Sequence, residues 1–165
     1  MHQLLLLRHA KASRDDPRMA DRDRPLNDSG RRQAKAMRRM MQSLGLAPDL
    51  VLVSPSRRTM QTLEILEPWD ETPLTEPLED LYLAEEARIL DVLRNVTETV
   101  RSVLLIGHNP GMRELVHTLS QAGTEKAVNS LPTCVLAEFM LRGPWSDLPA
   151  GARLIRVLDP RHTLA

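Results

Sequence analysis

Three short, unbroken apolar runs punctuate this chain: LLLL at residues 4–7, LVLV at 50–53 and VLLI at 103–106. Runs of this length without polar alternation read as strands covered on both faces, the pattern of a parallel sheet packed between helices. The segments between them carry helical periodicity, so the chain reads as successive βαβ units. The expected architecture is an α/β fold, a three-layer α/β/α sandwich built on a mostly parallel sheet.

The helical segments have recognisable starts and stops. Asn27 can cap a helix with Ala34, Met37, Met41 and Leu44 on one face, and Gly45 ends it. Ser54 or Ser56 can begin the next, with Met60, Leu63 and Leu66 pointing inward. Residues 84–96 place Ile89, Val92, Leu93 and Val96 at helical spacing. Asn109 as N-cap and Pro110 at the first helical position lead into Met112, Leu115, Val116 and Leu119. Near the C-terminus, "TCVLAEFML" and "ARLIRVLD" are strand-like and joined by a loop with Gly143, Pro144, Pro149 and Gly151. They are expected to form an antiparallel edge pair, which makes the sheet mixed.

A length of 165 residues suits one domain over residues 1–165, without a separate cap domain. Lys plus Arg equals Asp plus Glu at 22 each, so no net basic charge points to nucleic acid. The four aromatic side chains, Trp69, Tyr82, Phe139 and Trp145, are too few for a base-stacking platform. Cys134 is the single cysteine, which excludes an intramolecular disulfide framework and a multi-cysteine zinc site. It reads as a small buried side chain. No apolar stretch approaches the ~20 residues of a membrane span, and the first run lacks the basic flank of a signal peptide. A cytoplasmic protein with no membrane partner is expected; the oligomeric state stays open, with a monomer compatible.

The three apolar runs end in polar residues of one kind. The first delivers Arg8 and His9, the second Ser54, Ser56, Arg57 and Arg58, the third Gly107, His108 and Asn109. Parallel strands would bring these clusters to one edge of the sheet, where open α/β folds bind their ligands. Histidines and arginines converging beside helix N-termini make a site for a tetrahedral dianion. Ser56 and Asn109, at the helix starts, are expected substrate contacts. Arginines crowding such a pocket would repel a metal cation, so neither metal nor cofactor is expected, and no GxxxxGK[ST] loop is present to hold a nucleotide. Like charge around His9 should keep its imidazole neutral near pH 7, with a nitrogen lone pair available to attack phosphorus.

"LLLLRHAKA", "RPLNDSGRRQA", "LVLVSPSRRTMQT" and "VLLIGHNPG" together resemble, in order and approximate spacing, the motifs of the histidine phosphatase (phosphoglycerate-mutase-like) superfamily, in particular its SixA-type phosphohistidine phosphatase branch. The likeness runs over about residues 3 to 115. It implies that His9 accepts the phosphoryl group and that Arg8, Arg57 and His108 hold it. Arg24 matches a loop arginine of the same pocket, the alternative being a loop salt bridge with Asp21 or Asp23; Arg58 reads as the solvated member of its pair. The usual RHG triplet is RHA here, with Ala10 the smallest departure available.

By the resemblance, Asp80 in "EPLEDLYLAEE" matches the general acid, with Glu79 and Glu85 as alternatives. An imidazole leaving group protonated by solvent has little need of that acid. The core also leaves little chain for a lid, which favours a phosphorylated side chain on another protein as substrate. The expected activity is therefore a metal-independent phosphatase acting through phospho-His9 on protein phosphohistidine. The alternatives are a phosphomonoesterase for a small phosphorylated metabolite, and a phosphate- or phosphoprotein-binding module without turnover.

Overall fold

The computed structural model describes residues 1–121 and 128–162. In chain order the elements are β1 (His2–Arg8), α1 (Asp28–Leu44), β2 (Leu50–Val53), α2 (Arg57–Leu66), β3 (Leu74–Pro77), α3 (Glu86–Arg94), β4 (Ser102–Gly107), α4 (Gly111–Gln121), β5 (Leu136–Leu141) and β6 (Ala152–Leu158). The six strands form one sheet in the order β3-β2-β4-β1-β5-β6. Strands β1 to β4 pair in parallel, while β5 runs antiparallel to both β1 and β6. The sheet is thus mostly parallel with an antiparallel edge.

The apolar runs are continuous because each strand feeds two cores. Leu4 and Leu6 of β1, Leu50 and Leu52 of β2, and Val103 and Leu105 of β4 pack with Ile89 and Leu93 of α3 and Met112, Leu115 and Leu119 of α4. The alternate residues Leu5, Leu7, Val51, Val53, Leu104 and Ile106 pack on the other face with Met37 and Met41 of α1 and Leu63 and Leu66 of α2. Strand period two splits each run between the layers. Burying one such leucine contributes about 1.5–3 kcal/mol, so the central strands anchor both layers.

Asn27 caps α1 by accepting from the Gly30 N–H, and Gly45 ends it in a left-handed conformation. Ser56 caps α2. Three boundaries differ from the sequence reading. The helix expected over 84–96 is confined to Glu86–Arg94, and α4 begins at Gly111, so Pro110 precedes it rather than opening it. Cys134 is buried but lies in a turn before β5, at φ 59°, and its N–H meets the carbonyls of both Arg8 and His9. Strand β3, LTEP, carries no apolar run because it is an edge strand with exposed side chains.

Register brings the three strand ends level. Leu7 pairs with Ile106, and Ile106 with Val53, while the Ser54 N–H donates to the Ile106 carbonyl and the His9 N–H to that of Gly107. Residues 8–9, 54 and 107–109 therefore leave the sheet at one edge. The excursion between β1 and α1 folds back over that edge: Ala12 bridges Leu26, and the Ser13 N–H donates to the Pro25 carbonyl. Gly30 permits this closure, since a Cβ there would lie 2.0 Å from the Lys11 carbonyl oxygen.

Candidate active site

A cavity of about 540 Å³ opens at this edge, and Arg8, His9, Arg24, Arg58, His108 and Asn109 all line it, together with Asp15 and Asp21. His9 is 7% exposed and His108 2%, with ring centroids 5.3 Å apart. Two strands and one loop thus deliver the expected imidazoles and two of the expected arginines to one space.

The hydrogen bonds assign the tautomers. His9 Nδ1 lies 2.7 Å from the Ala10 carbonyl oxygen, which can only accept, so Nδ1 carries the proton and the neutral ring keeps its lone pair on Nε2. Burial, reinforced by Arg58, Arg8 and Arg24 and opposed by the Ala10 bond, lowers its pKa to about 4. Arg58 donates to His108 Nδ1 at 3.3 Å, so the neutral His108 carries its proton on Nε2, 2.7 Å from Ser54 Oγ. Burial, then His9 and Arg58, lowers the His108 pKa to about 3. Both rings are neutral near pH 7.

Three expected site residues lie outside the cavity. Arg57 is exposed and, among the described residues, reaches only the Asp23 carbonyl, whereas Arg58, read as solvated, is 2% exposed and enters the cavity. Helix phase explains the exchange: α2 buries Thr59, Thr62, Leu63 and Leu66, and at ~100° per residue position 57 falls almost opposite that face while 58 falls on its flank. The apolar residues alone do not give that phase, because Thr59 and Thr62 hold half of the buried face. Ser56 spends its hydroxyl on the α2 N-terminus and on Thr59, leaving Ser54 as the hydroxyl beside His108. Asp80 is exposed and pairs with Arg88, because the short 3₁₀ turn Glu79–Leu81 buries Leu81 and turns its neighbours outward. Glu79 is taken by Arg22.

Asp21 joins the loop to the pocket in a way the sequence did not foretell. Its Oδ1 accepts from Arg24 Nε and Nη2 at 3.1 and 3.0 Å, its Oδ2 accepts from Arg58 Nη2 at 3.0 Å and from the Tyr82 hydroxyl, and its carbonyl accepts from Arg58 Nη1 at 2.7 Å. Burial opposes its charge, but these donors overrule it and hold the carboxyl well below the usual range. Arg24 is therefore both a cavity residue and an ion-pair partner. Tyr82 also sets its ring edge against His108, with centroids 5.5 Å apart.

The cationic groups retain capacity for an anion. Nε of Arg8 and of Arg58 is buried with no hydrogen-bond partner among the described residues. Asn109 is held in place by donating to the Leu131 carbonyl and accepting from the Arg113 N–H. Among the described residues no group of three or more His, Cys, Asp or Glu side chains is arranged to hold a metal ion, and no helix is long and apolar enough to cross a membrane.

Known proteins share this fold. The model of the histidine phosphatase superfamily (branch 1) matches residues 4–81. SixA of Nakamurella multipartitia superposes with a TM-score of 0.85 at 27% identity, over 96% of each chain. SixA of Agrobacterium tumefaciens is 30% identical with a TM-score of 0.76, over 96% of this chain and 98% of that one. The protein histidine phosphatase SixA complexed with tungstate matches at 26% identity and a TM-score of 0.77, over 96% and 97%. On its motifs, its sheet order and its whole-chain likeness to these structures, the chain belongs to the histidine phosphatase superfamily, among its SixA-type members.

Proposed function

We propose that the protein is a metal-independent phosphatase that works through phospho-His9 and acts on phosphohistidine carried by a protein. One observation carries the reading: a buried, neutral His9 whose bond to the Ala10 carbonyl leaves the Nε2 lone pair free, in a cavity lined by Arg8, Arg24 and Arg58. Nε2 attacks phosphorus and the bond from phosphorus to the substrate nitrogen breaks, the departing imidazole taking its proton from solvent. Water then attacks phospho-His9, releasing phosphate and restoring the ring. The arginines stabilise charge on the equatorial oxygens in both steps, and His108 keeps Arg58 aimed through Nδ1.

Leaving-group chemistry supports the substrate class. Of the two carboxylates lining the cavity, Asp21 is held ionised by Arg24, Arg58 and Tyr82 and is a poor proton donor, and Asp15 lies on the exposed loop. Asp80 stands outside. A site without a positioned acid turns over phosphoramidates far better than alkyl phosphates, whose alkoxide must be protonated as it leaves. The tungstate bound by a SixA relative is an oxyanion of the same shape as phosphate.

The test is a panel of phosphohistidine protein, phosphoserine peptide and sugar phosphate compared by kcat/KM. Phosphohistidine should lead, His9→Ala should abolish turnover, an acid-labile phosphoenzyme should be trapped in the wild type, and EDTA should change nothing. Preference for a sugar phosphate would move the assignment to a metabolite enzyme; phosphate binding without turnover would make the chain a binding module.

A further inference from the structure

Leu83 is placed where the free molecule gains nothing from it. Its backbone is left-handed, at φ 49°, a conformation that sterics disfavour for any residue with a Cβ and that glycine adopts freely. Its side chain is 51% exposed and belongs to neither core. An exposed leucine alone is ordinary, and a left-handed residue alone can serve a turn. Both together, on the rim of the cavity, mark a side chain held out for something else.

The fold fixes this placement on both sides. Tyr82 is tied to Asp21, Leu81 is buried, and the Ala84 carbonyl is packed so closely under α4 that a Cβ on Gly111 would lie 2.0 Å from its oxygen. Leu83 lines the cavity and also a second groove of about 450 Å³, which runs past Glu79, Asp80, Glu85 and Arg88. The cavity, at about 540 Å³, has room for a small phosphorylated molecule without the groove. A polypeptide whose side chain enters the cavity must continue somewhere, and the groove adjoins it.

We propose, resting on the reading of the protein as a phosphohistidine phosphatase, that Leu83 is the docking contact for the polypeptide flanking the phosphorylated histidine and so determines specificity for a protein substrate. The segment that fits places an apolar side chain on Leu83 and is uncharged or basic beyond it, since Arg22 and Arg88 pair two of the groove's three carboxylates, Glu79 and Asp80, and Glu85 remains as an exposed negative charge.

Wild type, Leu83→Ala and Leu83→Gly are compared on phosphoimidazole and on a phosphohistidine peptide with apolar and lysine neighbours. Both variants should lose about ten-fold or more in kcat/KM on the peptide, through KM, with phosphoimidazole changing less than about two-fold. Leu83→Gly should also melt above the wild type, because glycine relieves the backbone. Equal losses on the two substrates, or no loss on the peptide, would overturn the docking role and leave the phosphatase reading standing, whereas a wild type active on phosphoimidazole alone would overturn both the docking role and the protein-substrate reading. A wild type that hydrolyses neither substrate overturns that reading, and the docking role falls with it.

Discussion

Asp21 is the residue on which the geometry of the cations depends. Arg24 comes from the loop and Arg58 from the first turn of α2, and the two have no common element to align them; one carboxylate accepts from both. Asp21→Asn keeps the shape but removes the charge, so the arginines lose their shared anchor while the cavity becomes more positive. Positional looseness of this kind is worth about 10- to 100-fold in rate. We therefore expect kcat to fall by that factor, while inorganic phosphate inhibits as tightly as before or tighter. An unchanged kcat would show that the arginines hold their positions without Asp21. A carboxylate that bound phosphate through a bridging group would behave oppositely, weakening phosphate inhibition in the variant.

Among the elements, the approach of α4 to the segment before α3 shapes the rim. Gly111 lets the helix start against the Ala84 carbonyl, and neither partner is a flexible side-chain end, so Gly111→Ala must push backbone from backbone. Overpacking of this kind costs about 1–3 kcal/mol, which for a chain of this size lowers Tm by roughly 2–12 °C. Calorimetry should find that loss; an unchanged Tm would mean the segment gives way freely, and with it the fixed placement of Leu83. Element scale is also where the sequence was most and least legible. Strands β1, β2 and β4 were readable because burial on both faces demands unbroken apolar runs. Strand β3 was not, since its backbone pairs with β2 while its side chains face solvent. His9, His108 and Arg8 followed from the strand ends alone, whereas exchanging Arg57 for Arg58 needed the phase of α2. Asp21 needed more: its partners Arg58 and Tyr82 lie 37 and 61 residues away, and only the folded loop brings them together.

At the scale of the whole molecule, placing two neutral imidazoles at the buried edge of the sheet ties catalytic readiness to acid sensitivity. His9 and His108 titrate at about 4 and about 3 in the folded protein against an ordinary value of 6.5, chiefly because burial excludes the charged form. Between the folded and unfolded pKa values the unfolded chain binds more protons, so stability rises with pH across that window. The contribution is fully present above pH ~6.5 and is lost as pH falls towards 4. For His9 the shift corresponds to on the order of 3 kcal/mol, a large share of the roughly 5–15 kcal/mol by which such domains are stable. Asp21 adds a loss of the same sign at lower pH, below the ordinary carboxylate range. The urea midpoint of the wild type should therefore fall steeply between pH 6.5 and pH 4, and His9→Gln, which cannot titrate, should flatten that slope whatever its stability at neutral pH. A midpoint independent of pH over this window would mean that His9 keeps an ordinary pKa in the folded protein and that burial does not exclude its charged form.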